Sequence, residues 1–251
     1  MTMKAIRILG VALLGGAVGM ATTIGAQQPP AAAAGQPDPV AALKQSIGEG
    51  TKKLAQYEWV ETTIIKLKGE EKGRKLNRCY YGADGKVQKI PMDQPAPQAE
   101  EQGGGRRGRR GGGAVKEKIV ENKKDEMQEY MQQAAALIHS YVPPAPAQIQ
   151  AVKDGGRLSA NPQPGGKVRL EMKQYLKPGD SLTIDVDTAA NRLLGLGVNS
   201  YLDKPDEPVT LVVQMNTLPD GALYSAQTTL DAKAKNIQVV IANSGHKPVA
   251  R

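Results

Sequence analysis

The chain has no phenylalanine, one tryptophan, one cysteine and two histidines among its 251 residues. A single thiol cannot close an internal disulfide, so the fold must rest on its hydrophobic core. That thiol, Cys79, lies in the strand-like stretch Leu76-Asn77-Arg78-Cys79-Tyr80-Tyr81 with no base close in sequence, where a small buried hydrophobe is the expected role. The histidines, His139 and His246, are far apart, and the second is almost at the C-terminus. A zinc site recruits several His or Cys ligands, and a nucleophilic triad needs a histidine held beside its nucleophile, so neither is expected. No serine stands in a Gly-x-Ser-x-Gly setting. Asp185, Asp187, Asp203 and Asp206 are the densest acidic set, and a solvated strand face and a proline turn account for them. The reading is therefore a non-enzyme without metal or cofactor. For the absence of phenylalanine the sequence offers no physical reason.

Long apolar runs are also missing. Ile8 to Met20 falls short of the about 20 apolar residues a membrane span needs. It follows Lys4 and Arg7 and precedes Ile24-Gly25-Ala26, the pattern of a Sec-type signal peptide cleaved after Ala26. Cys79 is far from that cut, which excludes anchoring as a lipoprotein. The expected compartment is the periplasm or the exterior. The net charge is +8, and loss of Lys4 and Arg7 leaves +6, which favours anionic envelope surfaces over nucleic acid as partners.

What the sequence does hold is alternation. Six runs of period two lie between Gly166 and Asn243: Val168/Leu170/Met172, Leu182/Ile184/Val186, Leu194/Leu196/Val198, Val209/Leu211/Val213/Met215, Tyr224/Ala226/Thr228/Leu230 and Ile237/Val239/Ile241. Alternate side chains of a strand share a face, so each run predicts a strand with one buried side. Turn-formers such as Lys177-Pro178-Gly179-Asp180 and Leu218-Pro219-Asp220-Gly221 separate them, which predicts an antiparallel meander. Upstream, Tyr57–Lys68, Arg74–Tyr81 and Val87–Met92 read as three further strands, the last two joined through a type I′ signal at Asp84-Gly85. Tyr57–Lys68 is apolar on both faces, which suits a helix on one side and a concavity on the other.

Three helices are expected. One starts at Asp38-Pro39 and carries Val40, Leu43, Ile47 and Leu54 on one face, weakened by Gly48 and Gly50. A long one, Val115–Val142, bears the stripe Met127, Tyr130, Met131, Ala134, Leu137, Ile138 and Tyr141, with His139 beside it as an exposed or capping residue. A short one spans Pro146 to Asp154. Between strand and long helix, residues 93–114 form a Gly/Arg-rich insertion expected to be disordered, whose Arg106, Arg107, Arg109 and Arg110 are candidates for contact with an anionic glycan or membrane. The layout is thus a signal peptide over 1–26, a leader over 27–37, one α+β domain over 38–243 and a flexible tail over 244–251.

This order, from Leu54-Ala55-Gln56-Tyr57-Glu58-Trp59-Val60 through Asp84-Gly85-Lys86-Val87 to the meander, resembles the periplasmic lipoprotein-carrier fold of the LolA/LolB and RseB type. The resemblance implies a half-open antiparallel barrel of about nine strands, lidded by one long and two shorter helices. It also implies a greasy concavity able to hold an acyl chain or apolar peptide. Trp59, Ile65, Leu196 and Val213 are the candidate lining residues. The leading expectation is a carrier-like protein binding a lipid or other hydrophobic ligand. The alternative is an envelope interaction module acting through the basic insertion.

Overall fold

The computed structural model describes residues 39–92 and 113–249, with side chains described over 45–92 and 126–249. The expected signal peptide and leader lie outside the described residues, as does the insertion up to residue 112. In chain order the elements are α1 (Pro39–Leu54), β1 (Tyr57–Leu67), β2 (Glu70–Tyr81), β3 (Val87–Pro91), α2 (Gly113–Tyr141), α3 (Pro146–Asp154), β4 (Leu158–Gln163), β5 (Lys167–Lys173), β6 (Ser181–Asp187), β7 (Arg192–Tyr201), β8 (Pro208–Thr217), β9 (Leu223–Ala232) and β10 (Ile237–Pro248). The ten strands make one antiparallel sheet in the order β3-β2-β1-β10-β9-β8-β7-β6-β5-β4. Its two ends, β3 and β4, do not pair, so the sheet is not closed. The class is α+β, as expected.

The count is ten strands, not about nine. The extra strand, β4, reads Leu-Ser-Ala-Asn-Pro-Gln and lacks the alternation that marks its neighbours. Such a strand can exist only at an edge, where Pro162 need donate to no further neighbour. The β1–β2 turn is also tighter than expected. Lys68 and Gly69 both take positive φ (55° and 84°), so β2 starts at Glu70, not at Arg74. Asp84-Gly85 sits in a longer loop, Gly82–Lys86, in which only Gly85 has positive φ, so it is not a type I′ turn.

Two bulges change faces within the meander. Asp185 pairs with Gly195 but Val186 pairs with Leu193, so Leu194 is the extra residue and buried Leu193 takes the inward phase. Gln214 pairs with Gln227 but Met215 pairs with Ser225, which makes Ala226 extra and puts Ser225 and Leu223 on the inward phase. The expected alternations through Leu194 and Ala226 are corrected accordingly. A one-residue offset sends the side chains beyond it to the other face.

All three helices lie over one face of the sheet. The buried stripe Tyr130, Ala134, Ile138 and Tyr141 of α2 joins Met172, Leu182, Leu196, Val198, Val209 and Leu211 in one core, with Val152 of α3. At the other end, α1 packs on β9, where a Cβ on Gly50 would stand 2.7 Å from the Leu223 Cβ. The glycine that weakens the helix by propensity is the one that lets it approach the sheet. Helix cover and concavity are therefore on the same side of β1, contrary to the expectation of one on each. Val60, Thr62 and Ile64 face the other side, half-buried.

A buried polar clamp locks the α2–α3 corner to the β5–β6 turn. The Asp180 carboxylate accepts from the Tyr141 hydroxyl (2.5 Å) and from the backbone N–H groups of Tyr175 (2.6 Å), Leu176 (3.0 Å) and Lys177 (2.9 Å). The Tyr141 hydroxyl also lies 2.8 Å from Ser200 Oγ, and burial, followed by the bond to Asp180, pushes its ionisation well above the ordinary tyrosine range. Among the described residues, no helix is long and apolar enough to cross a membrane.

Candidate functional site

The inward positions of β1 read Trp59, Glu61, Thr63, Ile65 and Leu67, so a carboxylate interrupts an otherwise apolar or neutral series. Register then stacks neighbours beside them: Cys79 and Asn77 on β2, Lys89 and Pro91 on β3, and Asn243 and Ile241 on β10. Where these strands meet the C-terminal end of α1, a cavity of about 90 Å³ opens to solvent on one side. Leu54, Leu230, Val239 and Ile241 supply its aliphatic wall, and Trp59, Tyr81, Tyr224 and His246 its aromatic one. The Trp59 ring is 5.7 Å from Tyr81 and 6.1 Å from the His246 ring, which in turn is 4.0 Å from Tyr224.

The polar part of the wall is built around Glu61, which is 6% exposed. Both of its oxygens accept from Lys89 Nζ, at 2.7 and 2.6 Å, and Asn77 Nδ2 stands 3.5 Å away. An unpaired carboxylate at such depth would be costly, and the pairing with Lys89 offsets that cost. Cys79 lies next to the pair, fully buried, and burial followed by the Glu61 charge pushes its thiol up to about 12. A thiol in that state is inert, in line with its expected packing role. On the far wall, the Trp59 indole donates to Asn243 Oδ1 (3.0 Å), and the Asn243 amide donates to the Ser225 carbonyl (2.8 Å). The Ser225 and Thr228 hydroxyls are 2.9 Å apart. His246 Nε2 is buried without a hydrogen-bond partner, and burial lowers the pKa of its imidazole.

The four candidate lining residues are not brought together. Trp59 lines this cavity. Leu196 and Val213 border a second, smaller one of about 50 Å³ beneath Thr51 and Leu54, and both also belong to the core under α2. Ile65 packs against that core and borders neither. Arg106, Arg107, Arg109 and Arg110 lie outside the described residues. Asp185 is held by Arg169 across two strands (2.7 and 2.8 Å) and Asp187 stands 3.7 Å from Arg192, while Asp203 and Asp206 are exposed in their turn. Among the described residues no group of His, Cys, Asp or Glu is placed to hold a metal ion.

Sequence reasoning passed over Glu61, Lys89, Tyr81 and His246. For Glu61 a signal existed, since an acidic residue at an inward position of a buried strand needs a partner. For His246 there was none. It belongs to the site because β10 runs on to Pro248, pairing with Val60, Glu58 and Tyr57, beyond the Asn243 at which the domain was expected to end.

No protein-family model matches the chain, and no curated protein matches it. Among solved structures, a DUF1329 family protein from Desulfovibrio piger ATCC 29098 aligns over 84% of this chain and 94% of its own, at 12% identity and a TM-score of 0.32. That superposition is too loose to carry fold detail or function from one chain to the other.

Proposed function

We propose that this is an exported, non-enzymatic protein that holds a hydrophobic or amphipathic ligand in the cavity at the end of α1, in the manner of a carrier. The observation that carries the reading is the contrast between this cavity and the rest of the covered face. Under α2 and α3 that face is packed, with a smaller cavity of about 50 Å³ at its border, whereas here aromatic and aliphatic walls meet solvent. Ligand sites are concave, mostly apolar and furnished with a few placed polar groups, which is the composition of this wall. At about 90 Å³ the cavity is smaller than the roughly 300–1,000 Å³ of a drug-sized pocket, so it suits one end of a ligand and not a whole lipid. Support for export comes from the charged and apolar pattern of residues 1–26.

Native mass spectrometry of gently purified protein tests this, together with titration of fatty acid and phospholipid followed by tryptophan emission. Trp59 is the sole tryptophan, so its fluorescence reports on the cavity wall alone. The expected result is a co-purifying or added ligand at near one per chain with a shift in Trp59 emission. A ligand-free mass and an unmoved emission spectrum would overturn the proposal.

A further inference from the structure

The hydrogen-bonding capacity of the cavity wall is mostly spent. Asn243 is engaged through both its oxygen and its nitrogen, and Ser225 and Thr228 bond each other. Glu61 has both oxygens on Lys89 and is too deeply buried to turn toward a newcomer. Besides the hydroxyls of Tyr81 and Tyr224, which can donate or accept, two nitrogen groups able to carry positive charge have capacity left. Lys89 carries three N–H donors, of which Glu61 takes two, and its side chain is 24% exposed on the short edge strand β3. His246 Nε2 lines the same cavity and has no partner. Both are groups that donate when protonated, and one is already a cation. An anion completes such a wall. An amine would have to displace Lys89 from Glu61 or meet the Lys89 ammonium as a like charge.

We propose that the ligand's head group is a carboxylate received between Lys89 and His246, with its first methylenes against Leu54, Leu230 and Ile241. The assignment rests on the cavity reading above. The volume fits that arrangement, since about 90 Å³ accommodates a carboxylate and a short stem while the remaining chain leaves through the open side. Proton linkage follows. His246 stacks against Trp59 and Tyr224 and shares the cavity wall with the charged groups Glu61 and Lys89, and its burial favours the neutral imidazole. An arriving carboxylate favours the imidazolium, so binding takes up a proton and tightens as pH falls through the histidine range.

Three probes with one eight-carbon tail separate the possibilities: octanoate, octylamine and octanol, each titrated into the full chain and followed by Trp59 emission. Octanoate is expected to bind at least about tenfold more tightly than the other two, and more tightly at about pH 6 than at about pH 8. His246→Gln should abolish that pH dependence and weaken octanoate by a larger factor than octanol. The paired change Glu61→Gln with Lys89→Gln removes both charges while keeping a hydrogen-bonded pair, and should bring octanoate down to the level of octanol. Thermal melts of both variants establish that they fold. Equal binding of octanol and octanoate, or preference for octylamine, overturns the carboxylate assignment and leaves the cavity reading standing. Binding by none of the three overturns the cavity reading itself.

Discussion

The two halves of the covered face are built from the same alternation and end in different states. Under α2, the inward residues of β5 to β9 meet Ala134, Ile138 and Tyr141 in one packed cluster, and only a smaller cavity of about 50 Å³ borders it at Leu196 and Val213. Toward β1, β2 and β3, the inward residues include Glu61, Asn77, Lys75 and Lys89, and the cover is only the last turn of α1. Period two tells which side of a sheet a residue faces. It does not tell whether anything lies on top of it, because that depends on an element distant in sequence.

The contrast can be tested first through core truncations. Leu211→Ala, in the filled half, should cost about 2–5 kcal/mol, because rigid neighbours cannot close on the hole. Ile241→Ala borders an existing opening and should fall at or below the lower end of that range. Denaturant melts decide it, and equal losses would show that the two halves are packed alike. Tyr141→Phe removes one donor from the Asp180 carboxylate and one partner from Ser200, for an expected loss of about 1–3 kcal/mol without change in the emission of folded Trp59. In the open half, Lys89→Met alone leaves Glu61 buried and unpaired and should cost a similar amount, about 1–3 kcal/mol. Adding Glu61→Gln should recover most of it, and a double mutant no more stable than the single one would mean the pair contributes little.

Smaller effects sharpen the picture further. Cys79 should resist thiol reagents at mildly alkaline pH until the protein unfolds, so labelling kinetics that run ahead of unfolding would place the thiol nearer solvent than this packing does. His246 supplies the smallest effect. Its folded pKa lies below the unfolded value, so the unfolded chain binds the proton first as pH falls. Stability should therefore be fully present above the unfolded histidine range, near pH 6.5, and decline as pH falls from there toward the folded value. Comparing the pH profiles of the parent and His246→Gln isolates that slope, and identical profiles would remove His246 from the cavity's electrostatics.

Much of the frame was legible before any coordinates. Nine of the ten strands, all but β4, begin or end within two or three residues of an apolar run visible in the sequence, as β1 does at Tyr57 and β6 at Asp187. Helix α3 matches its proline start and glycine stop. What escaped had physical causes. β4 has no apolar period because an edge strand with Pro162 buries little. The bulges at Leu194 and Ala226 are set by pairing partners, and a single strand's sequence does not contain them. The expected lining set scattered because Leu196 and Val213, paired across β7 and β8, share an inward phase with Trp59 and Ile65 without sharing their place along the sheet.

The sequence by itself determined the class: alternating runs and turn residues specify an antiparallel sheet, and helical stripes specify what covers it. Local chemistry suffices for that, since φ/ψ preference and side-chain direction are properties of a few consecutive residues. Only the tertiary structure decided where the face would be left open. The cavity exists because Gly50 lets α1 settle on Leu223, because the last turn of that helix stops over Trp59 and Tyr81, and because β10 runs far enough to bring His246 beside Trp59. Those residues lie as much as 196 positions apart, counted from Gly50 to His246, and only packing relates them.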